Sequence, residues 1–238
     1  MSLIEARGLA KDYRTGNNLV HALRGVDFKV EAGEFVGIMG PSGSGKTTFM
    51  NLLGLLDRPT RGTLLLEDVD VGTLSPRESA RLRNQHLGFV FQTFNLLPRA
   101  TALENIKLPL TYSSVLGDAV AALERVGLSD RATHRPTELS GGQQQRVAIA
   151  RAIVNEPKIL LCDEPTGNLD SRTGEEIMAL FQVLNQSGMT IILVTHEHDI
   201  ALHCQRIVTF KDGLIRSDER VRNPLKASEV LESLPVLE

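Results

Sequence analysis

The stretch 35–56 limits most sharply what this chain can fold into. Phe35-Val36-Gly37-Ile38-Met39 is apolar throughout. Gly40-Pro41-Ser42-Gly43-Ser44-Gly45-Lys46-Thr47 follows directly, and Phe49, Leu52, Leu53 and Leu56 then recur at helical spacing. A run with no polar alternation reads as a strand covered on both faces, and the next apolar set reads as an amphipathic helix. The link between them fits G-x-x-x-x-G-K-[ST] in its confirming strand–helix context. Its glycines let successive backbone N–H groups turn inward on an anion, and the helix start adds a favourable dipole. Residues 40–47, with Thr48 after them, are therefore the candidate phosphate cradle. Lys46 would place a full charge on the β- and γ-phosphates, and the Thr47 hydroxyl would ligate Mg²⁺.

The same pattern recurs along the chain. Apolar runs at 87–91, 159–162, 191–194 and 207–210 alternate with helix-period segments such as Ile177, Leu180, Phe181 and Leu184. Alternation of this kind argues for an α/β fold with a mostly parallel sheet. Residues 2–34 and 62–69 read instead as short strands with turn residues, an antiparallel edge layer. The stretch from about 96 to 157 holds only helix-like segments, a helical insertion. The expected division is a core of 1–95 and 158–215, a helical subdomain at 96–157 and a short tail at 216–238. The polar stretch after Gly213 reads as a solvated end, with one turn of amphipathic helix at Val230, Leu231 and Leu234 as the alternative.

Composition narrows the function classes. A hydrophobic share of 42% excludes a disordered chain. A net charge of −3 and an aromatic share of 4% offer neither a basic footprint nor stacking platforms for nucleic acid, so no nucleic-acid partner is expected. Cys162 and Cys204 read as two small buried hydrophobes. The N-terminal Met1-Ser2-Leu3-Ile4-Glu5 lacks the pattern of a secretory leader, and no apolar run approaches the ~20 residues a spanning helix needs.

Residues 159–162 end in Asp163-Glu164. Ligands of open α/β sheets bind at the carboxyl ends of strands. Asp163 would hold Mg²⁺ and Glu164 would act on the attacking water. Strand alternation sends the two side chains in different directions. The group Arg77, Arg81 and Arg83 reads as a solvated helix face, and Gln143, Gln144 and Gln145 as ordinary helix and interface contacts.

Leu139-Ser140-Gly141-Gly142-Gln143-Gln144-Gln145-Arg146 resembles the signature motif of ATP-binding-cassette ATPases. Physically it is a second anion site, a Ser hydroxyl and Gly amides at a helix start. The resemblance spans about residues 3 to 215. It implies a P-loop NTPase core, ATP and Mg²⁺ as ligands, and a head-to-tail homodimer. In that dimer Ser140, Gly141, Gly142 and Gln143 of one copy close over the nucleotide cradled by the other. It also implies roles for single residues: Tyr13 stacks on adenine, Gln92 senses Mg²⁺ and the water, Asp170 lies at the dimer interface, and His196 contacts the γ-phosphate and orients Glu164. Lys46, Glu164 and His196 are then the catalytic set, and Thr47, Gln92 and Asp163 the metal set. That role accounts for His196 without a metal site built from His196, His198, His203 and Cys204.

The stretches 55–60, 87–98 and 104–110 resemble the lipoprotein-release and macrolide-export branch of the family. The branch implies a membrane permease as partner, a groove near residues 92–98 that receives a short permease helix, and a position on the cytoplasmic face of the membrane. Residues 110–122 are shorter than their counterparts in that branch, which leaves the permease open. A solute-import ATPase and a soluble nucleic-acid or ribosome-associated cassette are the alternatives.

Overall fold

Continuous apolar runs need two cores, and the fold supplies them. The computed structural model describes residues 2–16, 18–113 and 117–234. Asn17 in the first turn, residues 114–116 in the shortened stretch and 235–238 of the tail lie outside the described residues. In chain order the elements are β1 (Ser2–Thr15), β2 (Asn18–Glu31), β3 (Phe35–Met39), α1 (Lys46–Leu53), β4 (Arg61–Leu66), β5 (Val69–Asp70), α2 (Pro76–His86) and β6 (Leu87–Phe91). Then follow α3 (Ala102–Lys107), α4 (Ala119–Arg125), α5 (Gly141–Ile153), β7 (Ile159–Asp163), α6 (Ser171–Gln186), β8 (Thr190–Val194), α7 (His198–Ala201), β9 (Arg206–Lys211), β10 (Leu214–Arg220) and α8 (Ala227–Ser233).

Among the described residues, one sheet runs β10-β9-β3-β8-β7-β6 and a second runs β2-β1-β4-β5. In the first, every pairing is parallel except β10 on β9. The second is antiparallel throughout. Alternate residues of the central strands serve different cores. Leu160, Cys162, Ile191 and Leu193 pack with α5 and α6, whereas Ile159, Leu161, Ile192 and Val194 pack with α1 and the antiparallel sheet. This two-sided burial is why the runs lack polar alternation. Phe49 pins α1 between the layers, with its ring 5.1 Å from Phe28 of β2 and 5.0 Å from Phe210 of β9.

The α/β class, the antiparallel layer and the helices α3–α5 between β6 and β7 follow the sequence reading. Three details differ. The edge strands are long, 14 residues each in β1 and β2, because irregular register steps let the pair bend over the core. Leu56 does not extend the apolar face of α1. The helix stops at Leu53, Gly54 packs under the Phe89 ring, and Leu55 turns left-handed at φ 54°, leaving Leu56 half-exposed. The end of the chain is not simply solvated. β10 adds a strand to the main sheet, and α8 docks on α6 through Gln182, whose Nε2 donates to Leu225 O and whose Oε1 accepts from Ala227 N. Cys162 and Cys204 are buried and unbridged. Among the described residues no helix is long and apolar enough to cross a membrane.

Candidate functional site

The cradle hangs between β3 and α1. Gly45 lies at φ 104°, and a Cβ there would meet Ala22 O at 2.6 Å; Gly40, at φ 146°, lies hard against the Phe210 carbonyl. Neither position admits a side chain. The turn between β9 and β10 braces the loop, since Gly213 N donates to Ser44 O at 3.0 Å and Arg24 N donates to Gly213 O at 2.9 Å. Lys46 Nζ reaches back to Gly40 O at 2.6 Å and Pro41 O at 3.0 Å. Burial pushes its pKa below the ordinary lysine value, against the pull of Glu164 and Asp163.

A cavity of about 780 Å³ opens over this loop, walled by Ser42, Gly43, Ser44, Gly45, Lys46, Thr47 and Thr48 on one side and by Asp163, Glu164 and His196 on another. Both carboxylates face it, which corrects the expectation that they diverge. β7 ends at Asp163, and Glu164 takes the left-handed conformation (φ 47°), its N–H donating to Val194 O. A non-glycine residue held there is strained, and the strain here re-aims one carboxylate into the cavity. Burial and the neighbouring Glu164 charge hold the Asp163 carboxyl above its ordinary value, outweighing Lys46. His196 Nδ1 lies 2.9 Å from Glu164 Oε1. His203, by contrast, turns away: its Nδ1 faces Asp199 O, and its Nε2 lies 2.9 Å from Glu175 of α6.

The donor set suits a hard cation and a phosphate. The Thr47 hydroxyl and the Asp163 carboxylate are oxygen ligands of the kind Mg²⁺ takes alongside phosphate oxygens and water. The Ser44 hydroxyl is buried without a hydrogen-bond partner, and a phosphate oxygen would satisfy it.

Other expected residues stand apart from this cavity. Gln92 follows β6, where its carbonyl accepts from Asn168 Nδ2 at 3.0 Å. Ser140 caps α5 in a reciprocal box with Gln143, and Gly141 and Gly142 form the first turn of that helix. Asp170 caps α6, with Thr173 N and Oγ1 donating to its carboxylate and lowering its pKa. None of these walls the cavity of its own chain, nor does Tyr13, whose hydroxyl donates to Asp57 Oδ2 at 2.7 Å.

Two connecting residues carried no sequence signal. Gln145 is fully buried rather than an ordinary helix contact. Its Nε2 donates to Pro165 O at 2.6 Å, tying α5 to the loop after the acidic pair. Arg151 of the same helix donates to the carbonyls of Phe94 and Asn95, both at positive φ, just after Gln92. Such contacts cross the chain, and residue type alone does not announce them.

On the flank of β6, Leu56, Phe89, Phe91 and Tyr112 line a groove of about 900 Å³, rimmed by Arg77, Arg81 and Arg83 of α2. Arg77 and Arg81 are exposed, as a solvated face requires, whereas Arg83 is half-buried and its Nη1 donates to Leu55 O at 2.9 Å.

Comparison with known proteins accords with this geometry. A family profile described as "ABC transporter" matches residues 23–167. The macrolide export ATP-binding/permease protein MacB of Rhodopirellula baltica is 54% identical over 228 residues, which is 92% of this chain and 33% of that protein. The chain thus spans about a third of the length of that relative. The uncharacterized ABC transporter ATP-binding protein YvrO of Bacillus subtilis is 49% identical, with 92% of this chain and 97% of that protein covered. The ATP-binding cassette MJ0796, solved as a dimer in a post-hydrolysis state bound to ADP and Pi, superposes with a TM-score of 0.84 at 43% identity, covering 92% of this chain and 99% of that one. A phosphate cradle facing an acidic strand end, a separate Ser-Gly-Gly helix start, and likeness along nearly the whole chain lead to one assignment: the chain belongs to the ABC transporter family, as an ATP-binding cassette.

Proposed function

We propose that this chain is the ATPase subunit of a transporter or mechanotransmission complex. It hydrolyses MgATP at two composite sites of a head-to-tail homodimer and drives a membrane permease of lipoprotein-release or macrolide-export type. The carrying observation is the single cavity that gathers the cradle, Asp163, and the Glu164–His196 pair at 2.9 Å.

Lys46 and the cradle amides bind the β- and γ-phosphates, with Tyr13 stacking on adenine. Thr47 and Asp163 would hold Mg²⁺, with Gln92 joining them from outside the cavity wall, and the ion would supply positive charge to offset that of the phosphates. Glu164 polarises a water for in-line attack, and His196 holds the Glu164 carboxylate in place and reaches the γ-phosphate. Ser140, Gly141, Gly142 and Gln143 come from the second copy, and Asp170 lies at the seam. That Ser140, Gly141 and Gly142 form a second helix start, outside the walls of their own cavity, supports that arrangement. Loss of the bridging γ-phosphate opens the dimer, which is the mechanical output. The groove beside β6 takes a short helix of the permease, placing the chain on the cytoplasmic face of the membrane. The MacB relative is an ATP-binding/permease protein of which this chain matches a third, and that supports the partner.

The test is Glu164→Gln. ATP binding is retained, turnover falls by roughly 10²–10⁴, and an ATP-bound dimer accumulates on size-exclusion chromatography. Hydrolysis at the normal rate would remove Glu164 from the role of base.

A further inference from the structure

We infer that Lys11 and Asp57 form a clamp that positions Tyr13, so that this pair sets affinity for the nucleotide base without touching the phosphates. The inference rests on the reading of Tyr13 as the adenine-stacking ring.

The far end of β1 lacks a sheet to hold it. Pairing of β1 with β4 ends at Ala10↔Arg61, whereas pairing with β2 continues through Tyr13↔Val20 to Thr15↔Asn18. Beyond Ala10 the chain is a two-stranded ribbon, which by itself fixes a side chain poorly. A residue that must meet a flat base at van der Waals distance needs another anchor. Lys11 and Tyr13, two apart on the strand, share one face, and both reach Asp57. Lys11 Nζ donates to Asp57 Oδ1 at 2.6 Å and to Arg58 O at 2.7 Å, and the Tyr13 hydroxyl donates to Asp57 Oδ2 at 2.7 Å. The Lys11 ammonium lies 4.9 Å from the centre of the Tyr13 ring, within cation–π range. It occupies one face of the ring, so a base stacks on the other.

Asp57 is itself fixed to the cradle helix, since its N–H and that of Leu56 both donate to Asn51 O. The clamp therefore joins the ring to α1, the element that carries Lys46 and Thr47. Lys11 is largely buried, with 13% of its side chain exposed, so this is no freely solvated surface pair. Burial pushes Asp57 up, but the hydrogen bonds from Lys11, Tyr13 and the Arg58 N–H outweigh it and hold the carboxyl ionised. Neither Lys11 nor Asp57 walls the phosphate cavity. They act as positioning residues, through Tyr13.

The test compares two probes on the full chain: ATP, which carries the base, and inorganic tripolyphosphate, which does not. Both are titrated with EDTA present, and KM and kcat for MgATP are measured beside them. Asp57→Ala, Lys11→Met and Tyr13→Phe, the last keeping the ring but losing the tether, are expected to raise the Kd and KM for ATP about fivefold or more. For Asp57→Ala and Lys11→Met, tripolyphosphate affinity and kcat stay within about twofold. Asp57→Asn, which keeps an acceptor for the tyrosine hydroxyl, recovers part of the loss. Equal weakening of both probes would show a general disturbance of α1 and overturn the clamp. If Tyr13→Leu weakens ATP while Asp57→Ala and Tyr13→Phe do not, the clamp falls and the stacking role stands. If Tyr13→Leu leaves ATP affinity unchanged, the stacking role falls and the clamp with it.

Discussion

Ser140→Ala separates the stability of one chain from the chemistry of two. Ser140 Oγ accepts from Gln143 N at 3.3 Å, and Gln143 Oε1 accepts from Ser140 N at 3.0 Å. Removing an N-cap of this kind costs about 1 kcal/mol, which in a chain of this length lowers Tm by roughly 2–4 °C. The residue lies outside its own nucleotide cavity, so ATP affinity of the single chain should stay within about twofold. In the proposed dimer Ser140 sits at the partner's γ-phosphate, so turnover should fall far more than a loss of ~1 kcal/mol in the cap would give. Mixing Ser140→Ala with Lys46→Ala makes the arithmetic explicit. Lys46→Ala alone should bind ATP weakly and fail to turn over. In a one-to-one mixture half of the dimers are mixed, and each mixed dimer has one intact site, made from the normal cradle of one chain and the normal signature of the other. Independent sites then return roughly one quarter of normal ATPase activity. Steady-state phosphate release with each variant alone and mixed is the assay. If Ser140→Ala alone weakens ATP binding as much as Lys46→Ala does, the signature serves its own chain and the shared site falls.

Three further expectations follow from the packing and charges. Phe49→Ala empties a fully buried ring site between Phe28 and Phe210 and should cost about 3–5 kcal/mol, read from the urea midpoint; a change under about 1 kcal/mol would mean that α1 is held otherwise. Asp163→Asn should raise Tm at neutral pH in EDTA while abolishing turnover, because the carboxylate is half-buried beside Glu164 and its charge opposes folding; a lower Tm would contradict that balance. Asp57→Asn should lower Tm at neutral pH. Because the folded state lowers the Asp57 pKa, the stabilisation is present above its ordinary value of 3.8 and is lost as pH falls through the lower folded value. The gap between wild type and variant should therefore narrow on acidification, and a widening gap would reverse the sign assigned to the clamp.

Particular residues show how much was legible. Residues 40–47 declared a cradle because an anion site at a helix start needs contiguous backbone N–H groups. Asp163 and Glu164 declared themselves by ending an apolar run. Their shared direction did not follow from alternation, because Glu164 leaves the strand conformation. Gln145 reads as an ordinary contact and Arg151 belongs to no motif, and only their contacts with Pro165, Phe94 and Asn95 show what they brace. The stretch after Gly213 looked solvated because its charges hide the few side chains that dock.

By itself the sequence determined the elements and the local chemistry: strands covered on both faces, the cradle, the acidic strand end and a second helix start. Periodicity and contiguous motifs depend on neighbours a few residues away, so they survive in one dimension. Only the tertiary structure decided which surfaces meet. It carried Asp57 from the end of the cradle helix to Lys11 and Tyr13, turned both carboxylates into one cavity, and set Ser140 outside the cavity of its own chain. Such pairings join residues far apart along the chain, and they are chosen by how two sheets and their helices pack.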